Sequence, residues 1–167
     1  IGTYDLLIAP LPLRGIEAES VPLFRETLFL AVPEQHALAS HTQADPDCLK
    51  GEPVMALEPG HALNEQVEAI CRSAGATILH DFEGTSLATL HRMVAAGLGL
   101  AFLPALYAQG TPAPEGIRLL SLTGRKLQRT IGLAWRSGSP LAETCLFIAE
   151  HIRNGVRERF PSLTPLA

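Results

Sequence analysis

Short apolar runs stopped by proline or glycine alternate along this chain with stretches whose apolar residues recur every three to four positions. Residues 4–10 (YDLLIAP) form an apolar run ending at proline and predict a buried strand. Residues 28–33 (LFLAVP), 54–57, 78–82, 98–104 (LGLAFLP), 117–122 and 130–136 predict six more strands, and residues 11–20 read as loop. Over 62–74 the apolar positions Leu63, Val67, Ile70, Cys71 and Ala74 share one face of a helix, and Gly75 follows as its stop. Residues 87–96 predict a second helix, with Thr85 or Ser86 as its N-cap and Gly97 at its end. A third begins at Ser139 and Pro140, with Leu141, Cys145, Ile148, Ile152 and Val156 on its face, and a short helix is expected near 44–49. Strands alternating with helices predict an α/β fold with a mainly parallel sheet. Residues 110–116 (GTPAPEG) read as a loop rather than a linker, because apolar strands resume on both sides.

Composition sharpens this picture. The chain has 167 residues, 47% hydrophobic and 18% charged, with a formal charge of −4, which fits a globular chain with a real core. Its basic residues are scattered, and the densest group (Arg153, Arg157, Arg159) is interleaved with Glu150 and Glu158, so this chain alone offers no stripe for nucleic acid. No apolar run reaches membrane-spanning length and no signal peptide is visible. Three widely spaced cysteines (Cys48, Cys71, Cys145) argue against a disulfide framework and for a reduced, cytoplasmic setting.

Candidate chemistry is sparse. No nucleophile elbow, dinucleotide fingerprint, P-loop or zinc-protease motif is present, and the six histidines have no metal-ligand spacing, so neither an enzyme nor a metal or cofactor is expected. Two strand-to-helix turns stand out as places where α/β proteins bind ligands. One is Glu58-Pro59-Gly60-His61-Ala62, where His61 is the polar group; its plainer reading is a solvent-facing turn residue. The other is Gly84-Thr85-Ser86, whose hydroxyls cap a helix and could in addition hold an anion. Cys71 on its apolar face has the plain reading of an inert core thiol.

The stretch 85–104, TSLATLHRMVAAGLGLAFLP, with its V-x-x-G-x-G-x-x-x-L-P element, resembles the effector-domain signature of LysR-type transcriptional regulators. Further segments resemble the peroxide-sensing branch of that family: VPLF at 21–24, LEPGHAL at 57–63, Gln66 and Cys71, AGA at 74–76, LPAL at 103–106 and RTIGLAWRSGSPL at 129–141.

The resemblance implies two lobes of periplasmic-binding-protein type. Residues 1–24 would be part of the first lobe, 25–130 the second, and 131–167 the return to the first. Half of the first lobe and the DNA-binding N-terminal helix-turn-helix would be absent. The resemblance also implies a homodimer or tetramer formed through this domain, DNA contact through the absent domain, contact with RNA polymerase, and hydrogen peroxide as the signal. In that branch a peroxidatic cysteine follows the histidine of a G-H-C-L motif, and a second cysteine nine residues later resolves its sulfenic acid as a disulfide. Here the motif reads Gly60-His61-Ala62-Leu63. The resolving position is Cys71, and the peroxidatic position is Ala62. Arg129 matches a cation near the reacting thiol, and Thr85 and Ser86 match residues flanking the pocket; the plainer reading of Arg129 is an exposed strand-edge charge. Two origins of Ala62 stand open: an introduced Cys→Ala change that holds the reduced state, or a natural relative answering another signal. The retained G-H-x-L context and Cys71 favour the first. The alternative function is an effector domain holding a small organic acid between its lobes, with Thr85, Ser86 and Arg129 as anion contacts.

Overall fold

The computed structural model describes residues 4–13, 15, 17–55, 62–80, 86–109, 115–124, 127–160 and 163–166. In chain order the elements are β1 (Leu6–Leu11), β2 (Ala18–Pro33), β3 (Gln43–Ala44), β4 (Pro53–Met55), α1 (Ala62–Ala74), β5 (Thr77–Leu79), α2 (Leu87–Ala95), β6 (Leu100–Pro104), α3 (Ala105–Gln109), β7 (Ile117–Leu122), β8 (Gln128–Arg136), α4 (Ala142–Arg159) and β9 (Thr164–Pro165). Single 3-10 turns lie at Ala37–Ser40 and Pro46–Leu49, the latter where a short helix is expected. The chain divides into two compact units: unit 1 is Ile1–Glu26 with Gln128–Ala167, and unit 2 is Thr27–Leu127.

In unit 2 the second half of β2 lies between β6 and β7 and runs antiparallel to both. β4 pairs in parallel with β5 and β6, and β3 pairs in parallel with β7. The pairing is therefore mixed, where a mainly parallel sheet is expected, because the incoming strand β2 runs against its neighbours. Side chains along a strand alternate between faces, and here each face has its own helix. Leu28, Leu30 and Val32 of β2 and Leu100 and Phe102 of β6 pack with Val67, Ile70, Cys71 and Ala74 of α1. Ala31 of β2 and Ala101 and Leu103 of β6 pack with Leu90 and Val94 of α2. Burial on both faces explains why β6 reads as an unbroken apolar run. Gly99 precedes it with φ +157, and a Cβ there would lie 2.9 Å from the Pro53 carbonyl oxygen.

In unit 1, β1 pairs antiparallel with β8 over its whole length, β8 neighbours β2, and β9 pairs with Phe24 and Arg25 of β2. Cys145, Ala149 and Val156 of α4 are buried, and Arg153 donates through Nε to the Pro22 carbonyl of β2 at 3.0 Å.

Three expectations are corrected here. β1 is not buried: Leu6, Leu7 and Ile8 are exposed, because among the described residues β1 has β8 alone as its neighbour. Residues 18–20 are strand rather than loop, since β2 is 16 residues long. α4 begins at Ala142 rather than at Ser139 and Pro140, because Ser139 Oγ closes a turn by accepting from the Leu141 N–H at 3.2 Å.

Candidate functional site

The turn expected at 58–62 falls largely on residues 56–61, which include His61 and lie outside the described residues, as does Thr85. Helix α1 opens at Ala62, and α2 opens after Ser86. Ser86 Oγ accepts from the Thr89 N–H at 3.1 Å, so the hydroxyl serves as the N-cap of α2.

Positions 62 and 71 both lie in α1, nine residues apart. At the α-helical rise that separation is about 13.5 Å along the axis. A disulfide needs Cα atoms roughly 4.4–6.8 Å apart. A bond between these positions therefore requires α1 to unwind, and Val67 and Ile70, which lie between them, are core residues.

Cys71 has no exposed surface. Burial pushes its thiol up to about 11, with a further upward push from the Glu68 carboxylate. Cys48 is half-buried, and burial raises its thiol as well, reinforced by Asp45, Glu52 and Asp47. Neither sulfur is held as the reactive thiolate.

Arg129 belongs to unit 1, while residues 62, 71 and 86 belong to unit 2. Its Nε donates to Glu26 Oε1 at 2.6 Å, and Glu26 is completely buried. Arg129 is thus an ion-paired, largely covered cation rather than an exposed strand-edge charge. Glu26 escapes the sequence reading; the available signal is a single acid between two apolar segments, VPLF and LFLAVP.

The remaining histidines near each other serve local structure. His36 Nδ1 accepts from the Leu38 N–H at 3.2 Å, and His41 Nδ1 meets Ser40 Oγ at 3.3 Å. His91 is held at both ring nitrogens, by the Tyr107 hydroxyl at 3.1 Å and the Glu115 carbonyl at 2.9 Å, which ties α2 to α3 and to the start of β7.

Comparison with known proteins gives a consistent answer. The model of the LysR substrate binding domain matches residues 2–157. The Escherichia coli K12 DNA-binding transcriptional dual regulator OxyR is 39% identical over 152 residues, which are 91% of this chain and 50% of that protein. The hydrogen peroxide-inducible genes activator of Pectobacterium carotovorum is 37% identical over 163 residues, 98% of this chain and 54% of that protein. The chain thus spans about half the length of the curated relatives it matches. Among solved structures, the oxidized form of OxyR superposes with a TM-score of 0.81 at 38% identity, covering 93% of this chain and 74% of that one. The reduced form gives 0.77 at 36% identity, with 93% and 73% covered.

Proposed function

The chain belongs to the LysR substrate-binding domain family, and from that membership we propose that it is the regulatory domain of a peroxide-responsive transcription factor, a sensor rather than an enzyme. The observation that carries the reading is Cys71. It sits on α1 nine residues after the third position of the G-H-x-L motif, in a chain 39% identical to OxyR of Escherichia coli K12. In this reading position 62 is the peroxidatic position and Cys71 is the resolving thiol. His61, Thr85, Ser86 and Arg129 belong to the same pocket on the strength of the sequence resemblance. Promoter DNA, RNA polymerase, self-association and a cytoplasmic location follow for the longer protein by the same resemblance.

The chemistry has two steps. A thiolate at position 62 attacks one oxygen of hydrogen peroxide, giving a sulfenic acid and releasing hydroxide. The Cys71 thiol then displaces the sulfenic hydroxyl, forming the disulfide and water. The second step needs Cys71 out of its core, so the unwinding of α1 is the conformational signal and the disulfide is its lock. With alanine at 62 the first step has no nucleophile, and the helical arrangement is retained under peroxide.

Restoring the thiol tests this. Ala62→Cys and the chain as it stands are each treated with near-stoichiometric hydrogen peroxide, followed by thiol counting and peptide mass mapping. The expected result is loss of two thiols and a 62–71 crosslink in the variant alone. A folded Ala62→Cys protein with no preferential oxidation at 62 sinks the sensor reading. Thermal stabilisation by small carboxylates would then support the organic-acid effector instead.

A further inference from the structure

We propose that Glu26 is a positioning residue for Arg129: it grips the guanidinium from the buried side, fixes where its terminal nitrogens stand, and tempers its charge. The proposal rests on the peroxide reading for what Arg129 serves, a thiolate at position 62, and on the structure for how Arg129 is held. Glu26 belongs to none of the segments that carry the family resemblance. Among the described residues it is the one charged side chain that is buried. A carboxylate taken out of water is costly unless it is paired and hydrogen-bonded.

The backbone sets this pair. β2 and β8 are neighbours, and the Leu28 N–H donates to the Leu127 carbonyl at 2.9 Å. Two residues back along β2 is Glu26, and two residues on along the other strand is Arg129. Steps of two keep side chains on one face, so the pair meets across the strands. Arg25, next to Glu26, is exposed and lies opposite Thr164 of β9. Arg153 of α4 is engaged by the Pro22 carbonyl and by Glu150 at 3.9 Å. Arg129 is thus the counter-charge that the fold brings to Glu26.

The atoms that meet show what the grip does. Arg129 Nε donates to Glu26 Oε1 at 2.6 Å, at the short end for a charge-assisted hydrogen bond. Nε is the inner nitrogen of a planar fork, so this bond orients the plane and leaves both terminal nitrogens out of it. Exposure divides in the same sense, with none at Glu26 and 21% left on the Arg129 side chain. A cation held this way loses little freedom when an anion meets it. Grip and charge act oppositely on a thiol that the cation serves: a fixed guanidinium favours the thiolate, and the carboxylate behind it disfavours it.

Those opposite signs give the test. With Ala62→Cys as the background, the rate of peroxide oxidation at position 62 is followed against pH. Arg129→Met is expected to move the midpoint of that profile up by about one pH unit or more. Glu26→Gln keeps an oxygen on Nε and removes the charge, so it is expected to move the midpoint down. Glu26→Ala removes the grip as well and is expected to place it above that of Glu26→Gln. A residue that serves stability alone leaves the midpoint where it was. Independently of position 62, the Arg129 Nε–H is expected to exchange slowly in nitrogen-15 spectra of the chain as it stands, to stay slow in Glu26→Gln, and to lose its protection in Glu26→Ala. A midpoint that Arg129→Met moves and both Glu26 variants leave in place overturns the role of Glu26 while the peroxide reading stands. A fast-exchanging Nε–H in the chain as it stands overturns it too, even where a variant fails to fold. A thiol at 62 with no preferential oxidation takes down the peroxide reading, and the role of Glu26 toward position 62 with it.

Discussion

The reactivity of Cys71 is set by what surrounds it. The thiolate is the nucleophile, and a thiol held up near 11 presents almost none of it at neutral pH. In the folded chain Cys71 is expected to resist iodoacetamide at pH 8, and to react once denaturant opens α1. Mass mapping of labelled peptides decides this; a Cys71 that labels as fast in the native chain as in the unfolded one contradicts it. The same shift links stability to pH. The unfolded thiol ionises near 9.0, whereas the folded one keeps its proton to about 11, so the contribution is complete below pH 9 and fades as pH climbs through 11. Urea midpoints measured across that window are expected to fall less steeply in Cys71→Ala than in the parent. In the proposed switch, such a thiol at the resolving position would stay inert until its helix opens and so would not be oxidised out of turn.

Between elements, the Glu26–Arg129 pair joins β2 to β8 close to the points where the chain leaves and re-enters unit 1. Glu26 is sealed from solvent and Arg129 is mostly covered. Removing the guanidinium takes away the 2.6 Å donor to the buried Glu26 carboxylate, so Arg129→Ala is expected to lower stability by about 1.5–3 kcal/mol, while Glu26→Leu with Arg129→Leu restores part of it. Urea unfolding of the three proteins reads the difference. Elements with a strong period were legible in the sequence. Helix α1 spans its expected 62–74, β7 spans its expected 117–122, and Ser86 caps α2. The first half of β2 was not legible, because AESVPLFRET mixes charges into a half-covered strand and matches neither period. Exposure of β1 was hidden for the opposite reason: an apolar run reports what a strand prefers, not which neighbours it has. Arg129 was legible as a cation, but its buried counter-charge lies more than a hundred residues away and has no local signal.

At the scale of the whole chain, unit 2 is one continuous stretch with helices packed on both faces of its sheet, whereas unit 1 is made of two separated pieces. The ends of unit 2 meet through the Leu28 N–H to Leu127 carbonyl bond at 2.9 Å. Residues 27–127 alone are therefore expected to unfold cooperatively on heating, followed by circular dichroism. Residues 1–26 and 128–167 joined by a short linker are expected to be less stable, since β1 and α4 leave Ile8, Leu146 and Phe147 uncovered. A fragment 27–127 that melts without a transition contradicts this division.

The nesting of one unit inside the other also sets a timetable for synthesis. β1 and its pairing partner β8 lie about 120 residues apart along the message, Leu11 answering to Thr130. At about 5–20 residues per second, β1 waits roughly 6–24 s for its mate while the inserted unit folds. During that interval the apolar strand Leu6–Leu11 is without the β8 partner it has in the folded unit, which makes it a natural client for chaperones at the tunnel exit.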